Sequence, residues 1–520
     1  MKRPDILAAE RLERYRSIVP DWQAFLESLS RPLPLCLWTN TLISDRDEVA
    51  RHLEREGIEV RPVNWLPGAF KGPPSKQAGR ALPFLAGLYH IQEEVSLLPV
   101  WLLEPEPSER VIDLCSAPGN KTAQMAAAMK NTGAILGNDR DAMRTRATRG
   151  ILDRLGVVNT TIVTSDAGNL PDGVGRFDRV LADVPCTCEG TTRKHVDALL
   201  QSGRDASLRL HRRQLAILRK AVQLCRTGGR IAYATCTYAP EENEMVVDAV
   251  LREFGGEVEM VPARVDGLEC SSGLTTWGER AFDESLEQSM RIWPHQNDTG
   301  GFFVALLQKR SHASAAPRAH DRTRESSPAD SRSNFGTASV PTSGANSMST
   351  STANGPSNAE SESLPGLLAP DERRKWTDLL TRRFGIPPET LAAVTLHQPN
   401  NKYVAVVSND HAIIARPDPV SIGMPLIRVG LRYPKLTTAG ARLLGRHATK
   451  NVLDVSTSQA RDYMRRVDFY PTANQMEQVM DTGYVIVRFE GAALGVGLYL
   501  DEVGRVRSMF PKVLANAARS

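Results

Sequence analysis

Residues 111–126 read VIDLCSAPGNKTAQMA. Val111 to Leu114 has strand character, Ala117, Pro118 and Gly119 make a turn of small residues, and a helical segment follows. In an open α/β sheet, such a turn at the carboxyl end of a strand lets a ligand approach the backbone. It is not a P-loop, because Asn120 stands where a glycine is needed before Lys121 and Thr122, and it is not GxGxxG either.

Outward from this stretch, strand-like and helix-like runs alternate. AILGND (134–139), TIVTSD (161–166), FDRVLADV (177–184) and RIAYAT (230–235) are short and β-rich, whereas QMAAAMK, LHRRQLAILRKAVQLC and EENEMVVDAVLREF have helical spacing. This alternation predicts an α/β fold with a doubly wound parallel sheet. GGFFVALLQKR, from Gly300, reads as the strand that closes the domain, which spans 96–310.

Residues 1–95 predict a smaller α+β module: LPLCLWTNTL and IEVRPVNW are strand-like and DEVARHLEREG is helical. Residues 311–364 are rich in serine and hold one aromatic residue, Phe335, too little apolar surface to offset the entropy of ordering, so they read as a disordered linker. Residues 365–520 read as a separate α+β domain: KYVAVVS, HAIIARP and LIRVGLRY are strand-like, TSQARDYMRRV is helical, and GYVIVRFEGAALGVGLYL is a hairpin turning near Gly491.

Composition narrows the function classes. Apolar residues make up 41% of the chain and charged residues 24%, as in ordinary globular proteins, and the formal charge of +4 permits a nucleic-acid partner without arguing for one. The first residues, MKRPDILAAERLERYRSIV, lack the apolar core of a secretory signal, and no apolar run is long enough to span a bilayer. Seven cysteines without a regular frame read as reduced thiols, which predicts a cytoplasmic protein.

The chemistry gathers at strand ends. Asp139 ends the second strand about twenty residues after Gly119, where an acid would grip ribose hydroxyls, and Asp166 ends the third, suited to accept from an adenine amino group. The fourth strand, FDRVLADVPCTCEGTTRK, delivers Asp183, Pro185, Cys186 and Cys188 to the same edge, and the fifth, RIAYATCTYAPEENE, delivers Cys236.

A cysteine is most often a small core hydrophobe, and Cys36, Cys225 and Cys270 are read that way. Cys186, Cys188 and Cys236 could supply three sulfurs to zinc, but there is no CxxC pair and no evident fourth ligand, so no metal is expected. A thiol with a nearby carboxyl group suits a particular reaction: carbon 5 of cytosine becomes enamine-like once a thiolate adds at carbon 6 and an acid supports N3. The start of the EENE helix beyond Cys236 is expected to favour the thiolate.

With DLCSAPGNKT, DVPCTCEGTTRK and YATCTYAPEENE together, the chain resembles the Nol/Nop/Sun family of S-adenosylmethionine-dependent RNA (cytosine-5) methyltransferases, over about Leu33 to Phe303. The resemblance implies a class I methyltransferase, Rossmann-like sheet, an RRM- or ferredoxin-like N-terminal module, and a C-terminal RNA-binding, PUA-like domain of the RsmF-type branch. It implies that Cys115, Ser116, Ala117, Pro118, Gly119, Asn120 and Lys121 bind the cofactor S-adenosylmethionine, with Asp139, Asp166 and Asp183 around it. Cys236 would be the nucleophile, Cys186 would assist product release, and Asp183 would also support the base.

Three positions depart from the family pattern. Asn120 replaces a usual glycine, Trp38 replaces an arginine in LWTNTL, and Cys188 stands where the family has glycine. Arg140, Arg144, Arg146, Arg149 and Arg154, with Arg209, Arg212, Arg213, Arg219 and Lys220, are candidates to neutralise phosphates. The expected partner is therefore RNA, with ribosomal RNA preferred and transfer RNA the alternative, acted on by a monomer away from membranes. A non-catalytic RNA-binding or ribosome-assembly protein is the reading from a different class.

Overall fold

The computed structural model describes residues 10–310, 364–412, 416–512 and 514–515. The expected linker, 311–364, lies outside them except for Leu364, as does the middle of HAIIARP.

At the N-terminus, β1 (Leu35–Thr39), β2 (Arg61–Pro62), β3 (Ala69–Gly72) and β4 (Tyr89–Ile91) form an antiparallel sheet in the order β2-β3-β1-β4. The helix Arg46–Arg55 begins where Asp45 accepts a hydrogen bond from the Glu48 amide at 2.8 Å, one of the orphan donors of a helix start. The strand expected over IEVRPVNW shrinks to Arg61–Pro62, both exposed, at the edge of the sheet; a proline cannot donate to a ladder.

The central sheet carries the parallel strands β5 (Arg110–Asp113), β6 (Ala134–Asp139), β7 (Thr160–Thr164), β8 (Phe177–Asp183) and β9 (Cys225–Thr235) in the order β7-β6-β5-β8-β9. Phe302–Lys309 runs antiparallel beside β9. Alternate residues serve opposite cores: Val111, Ile135, Leu181 and Ala232 pack on one face, and Ile112, Leu136, Val180 and Ile231 on the other. Burial on both faces is why these strands read as nearly unbroken apolar runs. Strand order reverses beside β5, the point at which such sheets hold ligands.

One strand of this sheet comes from far along the chain. Pro419–Ile422 pairs antiparallel with β7, an edge role compatible with its proline. The C-terminal region also forms two four-stranded sheets of its own, one from Val394–Asn400, Tyr403–Ser408, Met424–Arg428 and Lys435–Leu436, the other from Val452–Asp454, Gly483–Phe489, Ala492–Leu500 and Arg505–Ser508. The expected hairpin turns at Glu490 and Gly491, with φ of 48° and 84°, the paired positive values that a tight hairpin favours.

The N-terminal module and the last sheet share one core, in which Leu53, Phe70 and Leu82 meet Leu453, Val485 and Phe489. Arg154 is buried beneath this region and donates to the carbonyls of Phe84 and Tyr89 and to His90, so it is no phosphate ligand. Arg140, Arg146, Arg209 and Arg212 remain exposed.

Candidate active site

The carboxyl edge of the central sheet is built from five chain segments. After β5, the Ser116 amide donates to the Asn138 carbonyl at 2.7 Å, which turns the backbone across the end of β6. Gly119, with φ of +109°, starts the helix Asn120–Ala128; a side chain there would adopt a strained backbone and press on Thr148. Asp113, fully buried, accepts from the Thr122 hydroxyl at 2.7 Å, and burial pushes its carboxyl up to about 7.

The same helix aims Lys121 at the tip of β8. Its ammonium lies 2.7 Å from Asp183 and donates to the Ser96 hydroxyl at 2.9 Å. Burial works against the charge on Lys121, but Asp183 outweighs it and holds the lysine above its usual range.

The two cysteine loops are tied together. The Cys186 sulfur lies 3.4 Å from that of Cys236 and 3.9 Å from that of Cys188. Buried Glu242 accepts from the Thr187 amide at 3.1 Å, the Thr187 hydroxyl at 2.6 Å and Gln214 at 2.8 Å, and so fixes one loop to the other. The Gly190 amide donates to the Cys236 carbonyl at 2.9 Å, and a β-carbon at Gly190 would sit 2.2 Å from the Gly301 carbonyl oxygen. Only glycine fits that crossing.

Two cavities meet at this edge. One, of about 380 Å³, is lined by Leu114, Cys115, Ala117, Asp139, Val184 and Pro185 among others; the second, of about 220 Å³, is lined by Glu93, Ser96, Lys121, Arg193 and Phe302 among others. Asp183 and Cys236 line both. A carboxylate and a thiol thus stand between two separate spaces.

A family model described as 16S rRNA methyltransferase RsmB/F matches residues 100–308, one for the RsmF/B-like ferredoxin-like domain matches 12–71, and one for the methyltransferase RsmF PUA domain matches 450–515. The tRNA (cytosine(49)-C(5))-methyltransferase of Pyrococcus abyssi is 32% identical over 301 residues, covering 57% of this chain and 95% of that protein. The chain belongs to the RsmB/F family of RNA methyltransferases.

Another relative is the human 28S rRNA (cytosine(4447)-C(5))-methyltransferase, 40% identical across 56% of this chain and 36% of the human protein. The chain spans between about a third and a half of the length of the first curated relatives it matches. Among solved structures, a methyltransferase homolog protein from Pyrococcus horikoshii is 30% identical with a TM-score of 0.50, covering 58% of this chain and 99% of that one. The methyltransferase sheet, the ferredoxin-like N-terminal module and the PUA-type C-terminal domain read from the sequence agree with these matches.

Within this family frame, the expected cofactor residues divide. Cys115, Ala117, Asp139 and Asp183 line the larger cavity. Asp139 is almost fully buried, accepts from the Asp141 amide at 2.9 Å and lies 3.3 Å from Arg144. Asp166 is half-buried beside the cavity-lining Ala167 and accepts from the Gly168 amide at 3.1 Å. Ser116 is buried, and Pro118 and Gly119 shape the turn, whereas Lys121 faces the smaller cavity. The Asn120 carboxamide oxygen lies 2.9 Å from the His90 ring, so this departure from glycine has a partner in the N-terminal module.

Two other departures are also placed. Trp38 is buried, donates to Gln92 at 3.1 Å and meets His90 edge-on, which makes it part of the core. Cys188 has φ of +58°, a left-handed backbone that glycine adopts without strain.

Hydrogen bonds from Cys186 and Cys236 draw Cys188 down to about 3, and its bonds to Cys188 and Cys236, with burial, push Cys186 up. For Cys236, the bond to Cys186 favours the thiolate, but the bond to Cys188 and burial outweigh it and raise the thiol. The helix expected to assist Cys236 begins only at Glu244, whose carboxylate is paired with buried Arg291. Cys36 and Cys225 are buried, and Cys270 packs half-buried against a core.

Sequence reading missed the wall of the smaller cavity. Glu93 accepts from the amides of Gly300 at 3.0 Å and Ser96 at 3.1 Å, and burial raises its carboxyl. Arg193, almost fully enclosed, donates to the carbonyls of Arg31, Pro32 and Thr299. Arg193 lies inside the quoted motif DVPCTCEGTTRK, but its partners are remote in sequence, as is Gly300 from Glu93.

Proposed function

We propose that the protein methylates carbon 5 of a cytosine in RNA, with S-adenosylmethionine as donor and Cys236 as nucleophile. The observation that carries this reading is the placement of Asp183 and Cys236 in both cavities at once. A reaction between a bound cofactor and a bound base needs its attacking groups on the wall between them.

The larger cavity suits the cofactor by its donor set. Leu114, Ala117, Ala167, Val184 and Pro185 give apolar walls for an adenine ring, and Asp139 and Asp183 give carboxylates for ribose hydroxyls and a positive centre. Asp166, next to the cavity-lining Ala167, is suited to the adenine amino group. When bound, S-adenosylmethionine supplies an electrophilic methyl group.

The smaller cavity takes the cytosine, presented single-stranded or flipped, since a stacked base cannot offer carbon 6 to a thiol. The Cys236 sulfur adds to carbon 6 while Asp183, held by Lys121, supports the ring at N3, and electron density moves to carbon 5. Once carbon 5 carries the methyl group, its proton passes to water acting as base, the freed pair re-forms the carbon 5–carbon 6 double bond, and the carbon 6–sulfur bond breaks with its pair leaving on sulfur. Cys186, 3.4 Å from Cys236, assists that release by exchanging a proton with the departing sulfur.

The substrate is ribosomal RNA in our reading, supported by the RsmF-type match at the C-terminus; the archaeal relative named for tRNA supports transfer RNA as the second reading. The protein acts as a monomer whose modules at 1–95, 96–310 and 365–520 pack on one another, Pro419–Ile422 of the last adding a strand to the central sheet. Among the described residues, no helix is long and apolar enough to cross a membrane. Bisulfite mapping of cellular RNA with and without the protein tests the reading: one cytosine in ribosomal RNA should lose its mark. An unchanged map in all RNA would refute it.

A further inference from the structure

Cys188 is not needed for the reaction above, yet it completes a cluster. The sulfurs of Cys186, Cys188 and Cys236 all lie within 4.8 Å of one another, with two of the separations at 3.4 and 3.9 Å. At a zinc–sulfur distance of about 2.3 Å, tetrahedral geometry sets neighbouring sulfurs about 3.8 Å apart. The three thiols therefore sit close to a ligand triangle before any ion binds.

The absence of a fourth protein ligand does not count against such a site. Thiophilic ions accept three sulfurs with water in the remaining position. Glu242 fixes the two loops to each other through Thr187, and Cys188 holds its place with a left-handed backbone, φ of +58°. The triangle is thus built by the fold and not by a flexible tail.

We propose that Cys186, Cys188 and Cys236 form a binding site for one thiophilic d10 metal ion, zinc or cadmium. Binding displaces the thiol protons to solvent and forms three metal–sulfur bonds. If Cys236 is the nucleophile of the proposed reaction, the ion blocks it reversibly, a consequence that rests on that reading while the site itself does not.

The test is titration of the reduced full-length protein with Cd(II), without oxygen and with a non-coordinating phosphine reductant, read by thiolate-to-metal charge-transfer absorption and by competition with a chelator. One ion per chain should bind, Cys188→Gly and Cys188→Ser should each lower affinity at least about tenfold, and Cys270→Ser should leave it unchanged. No charge-transfer band, or unaltered affinity in both Cys188 variants, would overturn the proposal. Because the signal needs no turnover, it fails or stands apart from the methylation reading.

Discussion

The two cavities flanking Asp183 are made in different ways. The larger is lined mostly by residues that directly follow β5, β6 and β8, so its parts are local motifs; the smaller draws on Leu33, Glu93, Ser96, Arg193 and Gly300 to Phe302, which only the tertiary fold brings together. The contrast separates what a short motif can encode from what packing must assemble. It also separates two jobs, holding a cofactor and holding a base.

The strongest way to break this comparison is at the residue the cavities share. Asp183→Asn should lower methyl transfer about 10²–10⁴-fold even with cofactor and RNA saturating, measured as single-turnover incorporation of labelled methyl; a change confined to cofactor affinity would remove Asp183 from the base side. Asp139→Ala lies on one side only. It should weaken cofactor binding about 10–100-fold, from the loss of charge-assisted hydrogen bonds, and leave saturated turnover within a few-fold, as read by calorimetry and kinetics.

On the other side, Gly190→Ala forces a β-carbon to within 2.2 Å of the Gly301 carbonyl oxygen and should cost about 1–3 kcal/mol in thermal unfolding. Cofactor affinity should be retained while activity on RNA falls. An unshifted melt would show that the crossing is looser than described.

The last expected effect concerns pH. Asp113 titrates at about 7 in the folded protein, above its unfolded value, so the folded state holds the extra proton. Its contribution to stability is full below the unfolded value and is lost as pH rises through about 7. Asp113→Asn should flatten the decline in melting temperature between about pH 4 and about pH 7. A decline as steep as the wild type's would assign that dependence to other groups.

Much of this was legible in the sequence for one physical reason. Strands buried on both faces give unbroken apolar runs, and the acid or thiol that ends each run lands at one edge, so Asp139, Asp183, Cys186 and Cys236 could be named from their spacing. Arg154 was misread because an arginine on a helix looks solvated until a second module covers it. Trp38, visible in the sequence only as a departure from the family arginine, is a core residue whose indole has a partner in Gln92. Pro419–Ile422 escaped notice because four residues beginning with proline carry little strand signal, and β7 supplies the template.

The most direct test of the central claim is denaturing electrophoresis of Cys186→Ala after incubation with S-adenosylmethionine and the RNA it methylates. A covalent RNA–protein band should form and should disappear when Cys236→Ala is added to the same chain. A band that persists in the double variant, or normal methylation by Cys236→Ala alone, would contradict it.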